Sequence, residues 1–156
     1  MGFPDLTAMA MPDVNLLVYA HREDSSPEHL RYAQCLKKLA VVAEPYALSV
    51  LALAGFARIG KNRRIFSRPS SPGEAFAFVR EMVDRPNARV VGPGPGHLEN
   101  VTRLCLVSGA SGNLVADAQH AAIAIEHGCT LVSTDSDFAR FRDLRWRHPL
   151  APAVGN

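Results

Sequence analysis

No apolar run in the 156 residues approaches the roughly 20 needed to cross a bilayer, so no transmembrane segment is expected. Cysteine is scarce: Cys35, Cys105 and Cys129 are odd in number, far apart and form no CxxC pair. That pattern excludes a disulfide framework and a thiolate zinc site, and suits reduced, mostly buried thiols in a cytoplasmic protein. The six histidines show neither HxxxH nor HExxH spacing, so His120 and His127 read as ordinary helix residues. The first ten residues, MGFPDLTAMA, lack a basic start and contain an acid, which argues against a secretory signal. They read as an extended or ragged lead into a first strand. There is no internal repeat, and no Pro, Gly or Ser stretch is long enough to separate domains, so residues 1–156 read as one domain.

Neither sign of charge prevails: 17 Lys and Arg face 15 Asp and Glu, for a net charge of +2. Acid is nevertheless absent between Glu44 and Glu74, where Arg58, Lys61, Arg63, Arg64 and Arg68 fall. A second basic group, Arg140, Arg142, Arg145 and Arg147, surrounds Asp143 near the C-terminus. Local positive fields of this kind attract polyanions such as nucleic acid, and suit a solvated face equally well.

What is plentiful is apolar residue, at 47% of the chain, enough for a core without staples and too much for disorder. Its pattern alternates short runs with helical stretches. Leu6–Met11 is a first strand candidate, stopped by Pro12, with Asp13 placed to cap the helix VNLLVYAHR. Ser25-Ser26-Pro27 opens a second helix with a stripe through Leu30, Ala33, Leu36 and Leu39. Val41–Ala43 reads as a short buried strand, and ALSVLALAGFARIG as a buried helix frayed at Gly60. After a basic loop at 61–70, Ser71-Pro72-Gly73-Glu74 starts another helix. Arg89–Val91 is a third strand, followed by a GPGPG turn and a helix over His97–Ser108. Gly109–Gly112 breaks that helix. The next runs from near Ala116 to a glycine stop at His127-Gly128, and Cys129–Ser133 is the last clear strand. Strands separated by helices indicate an α/β fold with a mainly parallel sheet covered on both faces.

In such a sheet the ligand crevice lies beyond the carboxyl ends of the strands. Asp13 follows the first strand, Asp135 follows CTLVS, and Asp117 stands near a helix start, with Asp137 close by. Each acid alone also suits a plain helix cap, and Asn15, Asn113 and Ser133 suit turns. Jointly, the carboxylates repel one another unless a cation compensates them. Oxygen donors without His or Cys select a hard divalent ion, Mg²⁺ or Mn²⁺ rather than zinc. Beside basic loops, such a site suggests phosphodiester hydrolysis, with Asn15, Asn113 and Ser133 orienting carboxylates or water. A phosphotransfer enzyme of haloacid-dehalogenase or response-regulator type is a poorer match. The first wants an acid where Asn15 stands, and both want a Lys after a later strand.

Four segments in order, DVNLLVYAHR, LAGFARIGKNRRIF, GNLVADAQHAAIAIEHG and LVSTDSDFARFRDLRWRHPL, resemble the PIN-domain ribonuclease toxins of the VapC type. The resemblance runs from Met11 to Leu150. It implies a three-layer α/β/α PIN-like domain, Mg²⁺- or Mn²⁺-dependent endonucleolytic cleavage of RNA, a cognate VapB-type antitoxin and a homodimer. The RNA would be single-stranded or looped, as in tRNA or rRNA. On this reading Asp13, Asp117 and Asp135 match three acids of the family's metal site, with Asp137 as an auxiliary, and Asn15 and Ser133 match its polar helpers. Arg58, Arg63, Arg64 and the C-terminal arginines would grip phosphates, or else serve the dimer or the antitoxin. One departure stands out. Members usually carry a fourth acid about six residues before the Phe of the GF-R pattern, which here is Val50. Glu44 is the nearest substitute, and a degenerate domain that binds without cutting is the alternative reading.

Overall fold

The computed structural model describes residues 8–60, 71–109 and 113–152. Over them the order is β1 (Ala10–Pro12), α1 (Val14–His21), α2 (His29–Val41), β2 (Tyr46–Ser49), α3 (Val50–Gly60) and α4 (Pro72–Val83), then β3 (Ala88–Val91) and α5 (His97–Ser108). After these come α6 (Leu114–Glu126), β4 (Thr130–Val132), a 3-10 turn at Ser136–Arg140, and β5 (Arg145–Arg147). The strands lie in the order β3-β2-β1-β4-β5, and every pairing is parallel. Parallel neighbours require crossover connections, and these helices cover both faces.

Alternation along each strand divides the core. Met11, Ala47 and Leu131 face α5 and α6, where Leu104, Ala118, Ala121 and Ile123 meet them. Tyr46 and Leu48 face the other way, onto Leu17 of α1, Leu36 of α2, Phe56 of α3 and Met82 of α4. The result is the expected three-layer α/β/α sandwich. Phe56 is 1% exposed at the centre of the second layer, and truncating such a residue to Ala costs about 3–5 kcal/mol.

Several boundaries moved. α2 begins at His29, not at Ser25, and Leu30 is exposed rather than part of the buried face, which Tyr32, Leu36 and Ala40 supply. Val41–Ala43 is not a strand. α2 runs through Val41, and the Asn87 amide donates to the carbonyls of Leu39, Val42 and Glu44 at 3.0, 2.8 and 3.1 Å, closing off that end of the helix. The second strand is instead Tyr46–Ser49, which takes in the first three residues of the run read as one long helix, so α3 starts only at Val50. A continuous apolar run has no periodicity to separate a buried strand from a buried helix. β5 was not expected. Its Arg-Trp-Arg sequence exposes both arginines while Trp146 packs on the core and donates its indole N–H to the Ser133 carbonyl at 3.1 Å.

Other signals held. Ser71 Oγ accepts from the Glu74 amide at 3.1 Å at the start of α4, α5 has the expected bounds, and Gly128 stops α6 at a φ of +65°. The GPGPG turn is pinned by Glu126, whose carboxylate accepts from the Gly94 amide at 2.7 Å. The basic loop at 61–70, with Arg63 and Arg64, and residues 110–112 of the glycine break lie outside the described residues.

Candidate active site

β1 and β4 are neighbours with Pro12 in register with Val132, so the chain leaves the sheet side by side at Asp13 and Ser133. Asp13 holds the N-cap position of α1, yet its carboxylate makes no capping bond. Buried at 5% exposure, it accepts from Ser133 Oγ at 2.8 Å instead. The same hydroxyl oxygen accepts from the Asp135 amide at 3.1 Å. One fully buried serine thus ties the two strand ends together and fixes both acids. Asp135 does act as a cap, accepting from the Asp137 amide at 2.9 Å at the 3-10 turn. Asp117 lies in the first turn of α6, and its Oδ2 accepts from Arg140 Nη2 at 3.1 Å.

Asp13, Asp117 and Asp135 line a single cleft of roughly 680 Å³, with Asn15, Asn113 and Arg58 on its walls. The acids feel one another. Burial, and then the Asp135 carboxylate, raise the Asp117 pKa above its ordinary value; Asp13 adds to the rise and Arg140 opposes it. This is the electrostatic frustration a cation relieves. Among the described residues no three Asp, Glu, His or Cys side chains form a closed ligand set as they stand. The three carboxylates still fit a hard divalent ion, because each offers oxygen and Mg²⁺ keeps several waters and needs only one or two carboxylates directly.

Three expectations need correction. Asp137 is not on the cleft; its side chain is 70% exposed and faces Arg140 at 3.6 Å, because the 3-10 turn sets the two residues on one face. Glu44 precedes β2, at the opposite end of that strand from α3, roughly 13 Å away at the usual rise per residue, so it is no substitute acid. Val50 opens α3 but packs toward Gly92, its Cγ2 3.2 Å from where a Cβ on that glycine would stand. The cleft wall on α3 is made by Leu51, Ala54, Gly55 and Arg58.

One cleft residue, His120, and one residue bonded to a cleft acid, Arg140, escaped the sequence reading. His120 stands one helical turn beyond Asp117 on the same wall, a spacing of three that could have flagged it. Arg140 was grouped with the phosphate-gripping arginines, and only the turn that carries it reveals its tie to Asp117. The cysteines are unpaired, as expected, and burial pushes the Cys35 and Cys129 thiols up, away from nucleophilic chemistry.

The sequence model of the PIN domain matches residues 10–144. The chain is 46% identical over 142 residues, 91% of its length and 96% of the relative's, to VapC ribonuclease Mb2897 of Mycobacterium bovis. It is 42% identical over 141 residues, 90% of this chain and 99% of the relative, to Ribonuclease VapC31 of Mycobacterium tuberculosis. Among solved structures, VapBC2 from Rickettsia felis, bound to a DNA fragment from its promoter, superposes with a TM-score of 0.63 at 22% identity, covering 90% of this chain and 98% of that one. FitAcB from Neisseria gonorrhoeae gives 0.65 at 15% identity, over 90% and 98%. This chain is a PIN-domain protein and, within that family, belongs to the VapC ribonucleases.

Proposed function

We propose that the protein is the toxin of a toxin–antitoxin pair, a cytoplasmic endoribonuclease that works with Mg²⁺ or Mn²⁺ held by Asp13, Asp117 and Asp135. The observation that carries this reading is the pairing of Asp13 with Asp135 through the Ser133 hydroxyl, opposite Asp117 in one cleft. Relatives at 42–46% identity are named ribonucleases, which favours RNA over other phosphodiesters. When bound, the ion supplies a Lewis acid that lowers the pKa of an attacking water and steadies charge on the phosphate. The chain's part is to hold and orient. Ser133 fixes Asp13 while Asn15 and Asn113 offer polar groups at the cleft wall. Arg58, on the exposed face of α3, meets a flanking phosphate, and Arg63 and Arg64 follow it in sequence. Water adds to phosphorus as the bond to the 3′ oxygen breaks and that oxygen takes a proton, leaving a 5′-phosphate and a 3′-hydroxyl.

A VapB-type antitoxin and a second copy of the chain are the expected partners, in keeping with solved relatives described as VapBC and FitAcB. No helix among the described residues is long and apolar enough to cross a membrane. A second reading, binding without cleavage, draws on the open ligand set and the apolar α3 wall.

The deciding experiment incubates total cellular RNA with purified, antitoxin-free protein in Mg²⁺, Mn²⁺ or EDTA, beside Asp13→Asn. Discrete metal-dependent fragments, lost in the variant, are expected. Intact RNA in every lane from folded protein would overturn cleavage in favour of binding alone.

A further inference from the structure

Arg140 belongs by sequence to a basic group suited to phosphate contacts, but its guanidinium is already committed. Nε donates to the Asp137 carbonyl at 2.9 Å, and Nη2 donates to Asp117 Oδ2 at 3.1 Å. The same Nη2 lies 3.6 Å from the Asp137 carboxylate, and Cζ stands 5.6 Å from the centroid of the Phe141 ring. With its side chain 20% exposed, the group is clamped between the 3-10 turn and the first turn of α6. Phe141, its stacking platform, is itself 2% exposed, so the guanidinium rests on core rather than on a mobile surface. It is the positive group bonded to a cleft carboxylate among the described residues, and it sits where a divalent ion would draw on the same oxygen.

We propose that Arg140 is a tethered counter-ion of the carboxylate cleft, a positioning residue that shares Asp117 with the divalent cation and so sets how weakly that cation is held. The inference rests on Asp13, Asp117 and Asp135 being the metal-holding set. Its physics is competition. A fixed unit charge beside a divalent ion repels it and takes up part of the Asp117 bonding capacity. Without metal, the same contact partly neutralises the cleft and ties the turn bearing Asp135 to the helix bearing Asp117. Arg140 thereby shifts loading of the site to higher divalent concentrations while keeping its two walls together in the empty state.

The test measures Mn²⁺ and Mg²⁺ binding to the full chain by isothermal titration calorimetry at low salt, without RNA. Parent protein is compared with Arg140→Gln and Arg140→Lys, each checked for fold by circular dichroism. Arg140→Gln is expected to bind Mn²⁺ about tenfold more tightly, with the gap narrowing as salt is added. Arg140→Lys, which keeps the charge without the planar fork, should stay close to the parent. Arg140→Met, whose stem still packs on Phe141, replaces the Gln variant should that one fail to fold. A folded Gln or Met variant that binds the ion no more tightly than the parent overturns the proposal. Should neither parent nor variants bind any divalent ion, the metal reading of the cleft falls, and this inference with it.

Discussion

At the scale of single residues, the decisive contacts are those of the acids and the groups that hold them. Asp117 is the informative one, because burial and two neighbouring carboxylates raise its pKa despite Arg140. An acid with a folded pKa above its unfolded value favours folding while protonated. That contribution is fully present below the unfolded pKa and is lost as pH rises through the folded one. Metal-free protein should therefore gain stability as pH falls from neutrality toward the upper edge of the carboxylate range. Asp117→Asn should remove this dependence and raise the metal-free melting temperature at pH 7 by roughly 2–4 °C. Thermal unfolding in EDTA at several pH values checks both, and a variant melting below the parent at pH 7 would show that the Arg140 contact outweighs the repulsion. Asp13, Asp117, Asp135 and Ser133 could be marked in the sequence because strand ends and helix starts are readable there. Asp137 and Arg140 could be marked too, but for other roles, since their pairing depends on a five-residue 3-10 turn that no periodicity announces.

Among the elements, β2 and α3 carry the main lesson. Residues 46–60 form one largely apolar stretch, interrupted by the polar side chains of Ser49 and Arg58, and only the neighbours decide that its first four residues pair with β1 and β3 while the rest coils. That boundary puts Val50, where the resemblance would put a fourth acid, at the start of α3. From the pairing of Ala10 with Tyr46, Ser49 lies beside Asp13, and Val50 therefore opens α3 next to the cleft while packing toward Gly92. Val50 is 43% exposed, so Val50→Glu should fold and gain about 0.3–1 kcal/mol from a negative charge at the helix N-terminus. Because residue 50 packs toward Gly92 and the α3 wall of the cleft is made by Leu51, Ala54, Gly55 and Arg58, Mg²⁺ affinity by calorimetry should stay close to the parent's. A several-fold gain in affinity in the folded variant would show that a side chain at residue 50 leaves Gly92 and reaches the cleft.

For the whole molecule the question is what its charge is for. A net charge of +2 gives no general polyanion field, so any grip on RNA is local. If Arg58, Arg63, Arg64, Arg142, Arg145 and Arg147 meet phosphates, binding of a short single-stranded RNA in EDTA should weaken by roughly ten- to sixtyfold between 50 and 200 mM salt, as expected for a few phosphate contacts. Fluorescence anisotropy reads this directly. A flat response would assign those arginines to the antitoxin or the dimer.

The linear chain by itself determined the class of fold, the alternation of helices and short strands, and an oxygen-only acidic set at strand ends, because each is written in local pattern and residue chemistry. Tertiary structure alone decided that β1 and β4 are neighbours, and hence that residues 13 and 133 meet through one hydroxyl bond. It also decided that Asp137 turns away, that Glu44 lies before the far end of β2, and that Arg140, grouped by sequence with the phosphate-gripping arginines, bonds Asp117. The reason is physical: contacts between residues 23 or 120 apart depend on strand order and turn geometry, and these are fixed by how the layers bury their apolar faces together.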